Sequence, residues 1–402
     1  MKIRLLMENA FVGGGTSRTV SVTASALAER GHDVELVSLF RRRKNPMFPP
    51  YDERVRITVL VDEYRMKHGN SLWKARGEAY KLASRRGTTI GHRSDYRSLK
   101  WNSWSDYALK RWLARVNDGI LVGTRPNINL VIARFARPGP VLVAQDHVNF
   151  ETYRPGIQKA IPRWYGRFDA IVTLTERNAR DYEQILAASP SEGAGPRILS
   201  IPNGVPTEVG AHRATLDEKV VVSLGRLAEQ KGYDRLLPVW AKVAEQRPDW
   251  KLEIYGGGDS RDALQGQLEA LGLAGRAELM GRTKEPFARL AEASLFVMSS
   301  RREGMPMVLL EAMGVGLPVV SYDCPTGPRE LIEDGVDGYV VPDGDEDALA
   351  ARMLELMDDR AKRAQFAEAA RRKAAEYDVR ALAARWERLF QELAAAKADG
   401  SR

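Results

Sequence analysis

Apolar residues fall in short runs rich in Val, Ile and Leu, and these runs alternate with segments of helical period along most of the chain. In the first half the runs Ile3–Met7, Val34–Leu39, Ile57–Val61, Ile120–Val122, Val141–Ala144, Ala170–Leu174 and Ile198–Ile201 predict strands. Several are bounded by Gly, Pro or Asp and apolar throughout, which suits strands covered on both faces. Between them lie helical stretches such as Ser17–Arg30, followed by Gly31, a residue suited to the left-handed backbone after a helix. The rhythm restarts at Val220–Leu224 and continues through Leu252–Tyr255, Ala277–Met280, Leu295–Met298, Val319–Tyr322 and Tyr339–Val341. Such alternation predicts parallel sheets with crossover helices, the α/β class. Pro202-Asn-Gly-Val-Pro206 and the polar stretch to about Lys219 read as a linker, and the chain after Pro342 reads as helical. The expected architecture is two Rossmann-like, doubly wound domains, residues 1–208 and 209–377, facing across a cleft. A C-terminal helix over 378–402 is expected to pack back on the first domain.

Tyr64–Val116 departs from this rhythm. It is polar, basic and aromatic, with helix-compatible pieces at Ser71–Ser84 and Ser105–Val116, and reads as a helical insertion in the first domain. Charge sharpens the picture. The 402-residue chain carries a formal +8, yet residues 41–116 alone hold 19 Lys/Arg against 7 Asp/Glu, so the remainder is net acidic. Trp73, Trp101, Trp104 and Trp112 lie in the same stretch. The segment is either a solvated helix pair with its Trp residues docked on the core, or a docking surface for an anionic partner such as a polyanionic chain or a membrane. Nucleic acid is disfavoured, because no recognition-helix, zinc-finger or RNP-like pattern accompanies the charge. The single Cys324 excludes a disulfide framework and a Cys-rich zinc site. Apolar runs fall short of the ~20 residues that span a bilayer. Met1–Met7 reads as a strand rather than a signal peptide. The expected setting is the cytoplasm, including its membrane face.

Candidate chemistry concentrates in Glu303-Gly-Met-Pro-Met-Val-Leu-Leu-Glu311-Ala-Met-Gly-Val-Gly-Leu-Pro318-Val-Val. Leu295–Ser299 reads as a buried strand, and Pro306 suits the first helical turn, where its missing N–H costs nothing. Gly304 permits close backbone approach before that turn. The amides of Met307 and Val308 would then point outward at the positive end of the helix dipole, which favours a phosphate. Glu311 lies about one turn into the helix, within reach of a diol. Glu303 precedes the turn, at a strand's carboxyl end, where open α/β sheets place their ligands. Upstream, Val222-Ser-Leu-Gly225-Arg226-Leu-Ala-Glu-Gln-Lys231-Gly232 ends a strand and sets two cations in one loop bounded by glycines. That loop is either an ordinary surface turn or a clamp for two phosphates, with Arg226 as a planar fork and Lys231 as a point charge.

Gly225-Arg226…Lys231-Gly232, Glu303 with Glu311, Gly316-x-Pro318-Val-Val, and Cys324-Pro-Thr-Gly-Pro-Arg-Glu330 together resemble the retaining glycosyltransferases of family 4, which have the GT-B fold. The likeness covers nearly the whole chain and is most specific over residues 220–342. It implies that the first domain binds the acceptor and the second a nucleotide-sugar donor, a UDP-sugar by family habit. Arg226 and Lys231 would hold the diphosphate, Glu311 the ribose hydroxyls and Glu303 the donor sugar, with Arg282 and Thr283 near the nucleobase. Met305 stands where Phe is frequent. Gly13-Gly14-Gly15 opens a helix near Thr16 but is not a G-x-G-x-x-G fingerprint, because Arg18 takes the last position. In the resembled family such a loop approaches donor phosphate or acceptor. His147 matches the family's sugar-contacting His, although a lone His is equally at home in a structural role.

The implied reaction moves a sugar to an acceptor hydroxyl by front-face attack, without metal or cofactor. Thr173-Leu-Thr-Glu-Arg-Asn178…Asp181-Tyr182, with Phe150 and Tyr153, is similar to actinobacterial and firmicute poly(glycerol-phosphate) α-glycosyltransferases. The acceptor would then be a teichoic-acid-like polymer or lipid carrier, or a small natural product. Asp343-Gly-Asp-Glu-Asp347 reads as a helix-capping run rather than a metal site. The alternatives are a non-catalytic polyanion-binding protein, or another GT-B enzyme such as an epimerase or phosphorylase.

Overall fold

The computed structural model describes residues 1–46, 52–95, 100–188 and 195–400. The chain divides into two compact units, Met1–Gly204 with Val379–Arg402, and Val205–Asp378. Both are Rossmann-like.

The first unit holds β1 (Lys2–Met7), β2 (Asp33–Phe40), β3 (Arg56–Val61), β4 (Ile120–Gly123), β5 (Val141–Gln145), β6 (Ala170–Thr173) and β7 (Arg197–Ser200). They form one parallel sheet in the order β3-β2-β1-β4-β5-β6-β7, in which Ile3 pairs with both Val34 and Ile120. The strands are apolar runs because each face has its own core. Val141 and Val143 join one cluster, which includes helix Val379–Ala398, while Leu142 and Ala144 join the other. The order reverses between β1 and β4.

The insertion contains helices Glu63–His68, Ser71–Ser84 and Ser103–Leu113, and its residues 96–99 lie outside the described residues. Each helix starts on a side chain that accepts a backbone N–H: Asp62 from Arg65, Asn70 from Trp73, and Asn102 from Trp104 and Ser105. The four Trp residues belong to the core. Trp101 is buried, and Trp73, Trp104 and Trp112 pack against the second cluster of this unit. The insertion's surface is therefore basic but not Trp-rich, because large indole rings gain most by burial.

The second unit contains β8 (Val220–Leu224), β9 (Lys251–Tyr255), β10 (Ala277–Gly281), β11 (Leu295–Met298), β12 (Val319–Tyr322) and β13 (Gly338–Val341). Its parallel sheet runs β10-β9-β8-β11-β12-β13 and reverses between β8 and β11. Helix Met307–Val315 is almost wholly buried, which explains its lack of a polar face, and it ends at Gly316 with φ 87°. Pro306 is the residue before this helix rather than its first residue. Its backbone is extended, and its carbonyl accepts from Leu309 at 3.1 Å. Asp345 caps helix Glu346–Asp358, accepting from the Ala348 N–H at 2.9 Å. Among the described residues no helix is long and apolar enough to cross a membrane.

Candidate functional site

Loops leaving adjacent strands of opposite winding diverge, so a doubly wound sheet opens at the carboxyl ends of its switch-point strands. In the second unit these are β8, which leads to Arg226 and Lys231, and β11, which leads to Glu303 and the helix at Met307. The two loops are tied together. Lys231 Nζ pairs with Glu303 Oε1 at 2.7 Å, and the same oxygen accepts from Ser300 Oγ at 2.6 Å. Ser299 Oγ donates to the Lys231 carbonyl at 3.1 Å, and the Arg301 N–H donates to the Gln230 carbonyl at 2.8 Å.

The short turn Glu229–Lys231 closes on Gly232, which has φ 66°; a Cβ there would stand 2.1 Å from the Ser299 carbonyl oxygen. Arg235 holds the other side of the exit from β11, donating to the carbonyls of Ser299 (2.8 Å) and Ser300 (2.6 Å) and pairing with Asp343 at 2.7 Å. Thr326 Oγ1 reaches the carbonyls of Glu303 (2.9 Å) and Gly304 (3.1 Å), fixing the turn through Met305 and Pro306. The amides of Met307 and Val308 thus open a helix whose preceding turn is held from two sides. Glu311 is fully buried on that helix.

Arg226 is exposed on the loop after β8. Arg282 and Thr283 follow β10, two strands away, and join the site through glycines. Arg282 lies along Gly257, whose carbonyl accepts from the Leu227 N–H at 3.2 Å. A Cβ at Gly256 would stand 1.8 Å from the Gly225 carbonyl oxygen, so the loops after β8 and β9 touch backbone to backbone. The Thr283 hydroxyl accepts from the Glu285 N–H at 3.0 Å, a turn-forming role.

In the first unit Gly13, Gly14 and Gly15 are exposed, and open space surrounds the Cβ positions of Gly14 and Gly15. The helix begins at Gly15. Arg125, after β4, donates from Nη2 to Thr16 Oγ1 at 3.4 Å. His147, after β5, is 8 % exposed, and its Nε2 has no hydrogen-bond partner among the described residues. Burial, and secondarily the Arg125 charge, lower its pKa to about 3, so the ring is neutral at pH 7. Beside it, burial raises the Asp146 carboxyl to about 7, against hydrogen bonds that favour the charged form. Tyr182 donates to Asp146 Oδ2, Asn129 Nδ2 donates to Oδ1 at 3.0 Å, and Tyr165 lies 3.3 Å from both oxygens.

The second unit thus gathers Lys231, Glu303 and the helix start, carries Arg226, Arg282 and Thr283 on the neighbouring loops, and holds Glu311 buried within helix Met307–Val315. Gly13–Gly15 and His147 belong to the other unit. Ser300, Gly256–Gly258, Arg125 and Asp146 are not singled out by the sequence, although the Gly-Gly-Gly run after β9 is a visible signal; Thr326 lies within the Cys324–Glu330 motif, but its tie to the Glu303 turn does not show there.

Residues 206–373 match the family described as Glycosyl transferases group 1. That match spans nearly the whole second unit, Val205–Asp378. The whole chain aligns, at 33 % identity over 407 residues, with an exopolysaccharide phosphotransferase of Streptomyces coelicolor, covering 42 % of that protein. It is 25 % identical over 281 residues to the poly(glycerol-phosphate) alpha-glucosyltransferase of Bacillus subtilis, covering 68 % of this chain and 40 % of that one. The chain therefore spans about two fifths of the length of each of these relatives. In fold it is similar to S. aureus TarM crystallised with UDP, alpha-GlcNAc-glycerol and fondaparinux, with TM-score 0.75 and 17 % identity over 97 % of this chain and 99 % of that one. Two parallel-sheet Rossmann-like units, matched in fold over nearly the whole chain by TarM, make this a GT-B fold.

Proposed function

We propose that the chain is a retaining glycosyltransferase that moves a sugar from a UDP-sugar to an acceptor hydroxyl. The observation that carries this reading is the Lys231–Glu303 pair beside the amino end of helix Met307–Val315, at the switch point of the second sheet. A sugar nucleotide already carries its leaving group, so the barrier falls chiefly by stabilising negative charge on the departing diphosphate and positioning the attacking hydroxyl. An ammonium has three donors. Glu303 engages one on Lys231, which orients the group and leaves two for phosphate oxygens. Arg226 adds a planar fork on the same loop, and the Met307 and Val308 amides add the helix dipole.

Glu303 meets the donor sugar in this reading and Glu311 the ribose, with Arg282 and Thr283 flanking the base. In the first unit, the acceptor side, neutral His147 serves as a hydrogen-bonding group for sugar hydroxyls, and Gly13–Gly15 allow close approach of a phosphate or acceptor. Front-face attack lets the leaving phosphate accept the hydroxyl proton, so neither a metal nor a cofactor enters the reaction. The poly(glycerol-phosphate) acted on by the Bacillus relative supports a polyol-phosphate polymer as acceptor, ahead of a lipid carrier or small natural product.

The test is a thermal-shift panel of UDP-, GDP- and dTDP-sugars on the wild type, Arg226→Ala and Lys231→Ala, followed by turnover with and without EDTA. A donor at about 100 times its Kd adds about 2.7 kcal/mol to the stability of the unit that binds it. The expected result is a UDP-selective shift that both variants reduce, with turnover indifferent to EDTA. No shift with any nucleotide sugar, or shifts unchanged in both variants, would overturn the diphosphate assignment. Loss of turnover in EDTA would overturn metal independence.

A further inference from the structure

Helix Ser71–Ser84 is two-faced in an unusual sense: both faces carry apolar residues, but among the described residues only one is packed against a partner. Its inner face carries Trp73, Gly77 and Tyr80. Tyr80 donates to Glu63 at 2.6 Å, accepts from Asn102 at 3.0 Å and meets Trp104 edge-on, while Gly77 lies close to the Met66 carbonyl. The outer face presents Leu72 and Leu82, 69 % and 65 % exposed, with exposed Ala75 and Ala79 between them at helical spacing. Cations edge this stripe. Lys74, Lys81 and Arg85 lie on one flank and Arg76 on the other, all exposed. The helix's acid, Glu78, is paired with Lys81 at 2.7 Å.

We propose that this outer face docks on an anionic lipid surface, laying the helix in the plane of the membrane interface. The charge of the segment selects an anionic partner, and the leucine stripe selects among anionic partners. A polyanionic polymer is held by cations and hydrogen-bond donors and is indifferent to Leu72 and Leu82. A lipid interface engages both, because apolar side chains enter the acyl boundary while Lys and Arg reach the headgroups. The Asn70 cap and the packed inner face keep the helix formed without lipid, so docking does not wait on folding. The proposal is independent of the donor chemistry of the second unit.

The experiment is co-sedimentation of the full chain with phosphatidylcholine vesicles, with or without about one third phosphatidylglycerol, at low and high salt. Expected is binding at least about tenfold stronger to the anionic vesicles, weakened by salt. Leu72→Gln with Leu82→Gln should lower it about fivefold or more at unchanged Tm. Ala79→Glu, at an exposed position of the same face, is an independent version of that variant. Absence of binding, or equal binding to both vesicle types, would overturn the proposal. Full binding retained in both apolar-face variants but lost in Lys74→Gln, Lys81→Gln, Arg85→Gln would also overturn it, assigning the patch to a soluble polyanion.

Discussion

Asp146 and His147 are neighbours in sequence whose pKa values burial moves in opposite senses. The Asp146 carboxyl, raised to about 7, keeps its proton in the folded chain where the unfolded chain has released it. Its contribution to stability is complete below about pH 4 and is lost as pH rises towards 7. His147, lowered to about 3, stays neutral when folded, whereas the unfolded chain takes a proton below about 6.5. Its contribution is complete above about pH 6.5 and is lost as pH falls towards 3. Between about pH 4 and 6.5 the two slopes oppose each other, so the wild-type first unit should show little pH dependence from this pair. Asp146→Asn removes one slope: stability should then rise with pH by up to about 3 kcal/mol across that window. His147→Gln should produce the opposite trend. Urea midpoints of the first unit measured at several pH values decide it, and parallel wild-type and variant curves would refute the coupling. The His was visible in the sequence because it follows a strand-like run. Asp146 was not, since its burial depends on Tyr165, Tyr182 and Asn129, which come from three different segments.

At the scale of elements, every strand was legible; the inner ones are apolar at consecutive positions because both their faces are covered, as in Leu295–Met298 and Val141-Leu-Val-Ala144. Starts of helices were less so: Pro306 precedes its helix by one residue, since proline satisfies the residue before a helix as readily as its first turn. The contacts between loops were not legible at all. Nothing local announces that Gly256 abuts Gly225, or that Thr326 holds the Glu303 turn, because strand order rather than sequence distance brings them together. Gly232 shows what such a contact does. Gly232→Ala combines a left-handed backbone, costing on the order of 1–2 kcal/mol, with a methyl driven against the Ser299 carbonyl. The loop after β8 must then shift and carry Lys231 away from Glu303. The expected outcome is a Tm lowered by several degrees and a UDP-induced shift largely lost. Gly266→Ala, in helix Arg261–Ala270 with open space around its Cβ position, should leave both unchanged or raise Tm slightly. Equal effects of the two substitutions would mean that the Gly232 contact does not position the loop.

The whole molecule is two units made from a chain that enters the second once and leaves it once, returning to the first for its last helix. In that helix, Val379–Ala398, the side chains Leu382, Trp386, Leu389, Phe390 and Leu393 are buried in the same cluster as β1 and β5. Their spacing marks an amphipathic helix in the sequence, but the partner sheet is long-range information that periodicity does not carry. Burying five such side chains contributes on the order of 10 kcal/mol, comparable to the net stability of an entire domain. The first unit therefore depends on residues that follow the second in the chain. Ending the chain at Asp378 should abolish the cooperative transition of the first unit, seen by calorimetry, and leave that of the second. The second unit keeps its own core around Trp240 and Tyr322, together with Arg226, Lys231 and Glu303. It should go on showing the UDP-dependent rise in Tm after truncation. If both transitions survive in the shortened chain, helix Val379–Ala398 is an ornament on a self-sufficient sheet; if both vanish, the two units fold as one.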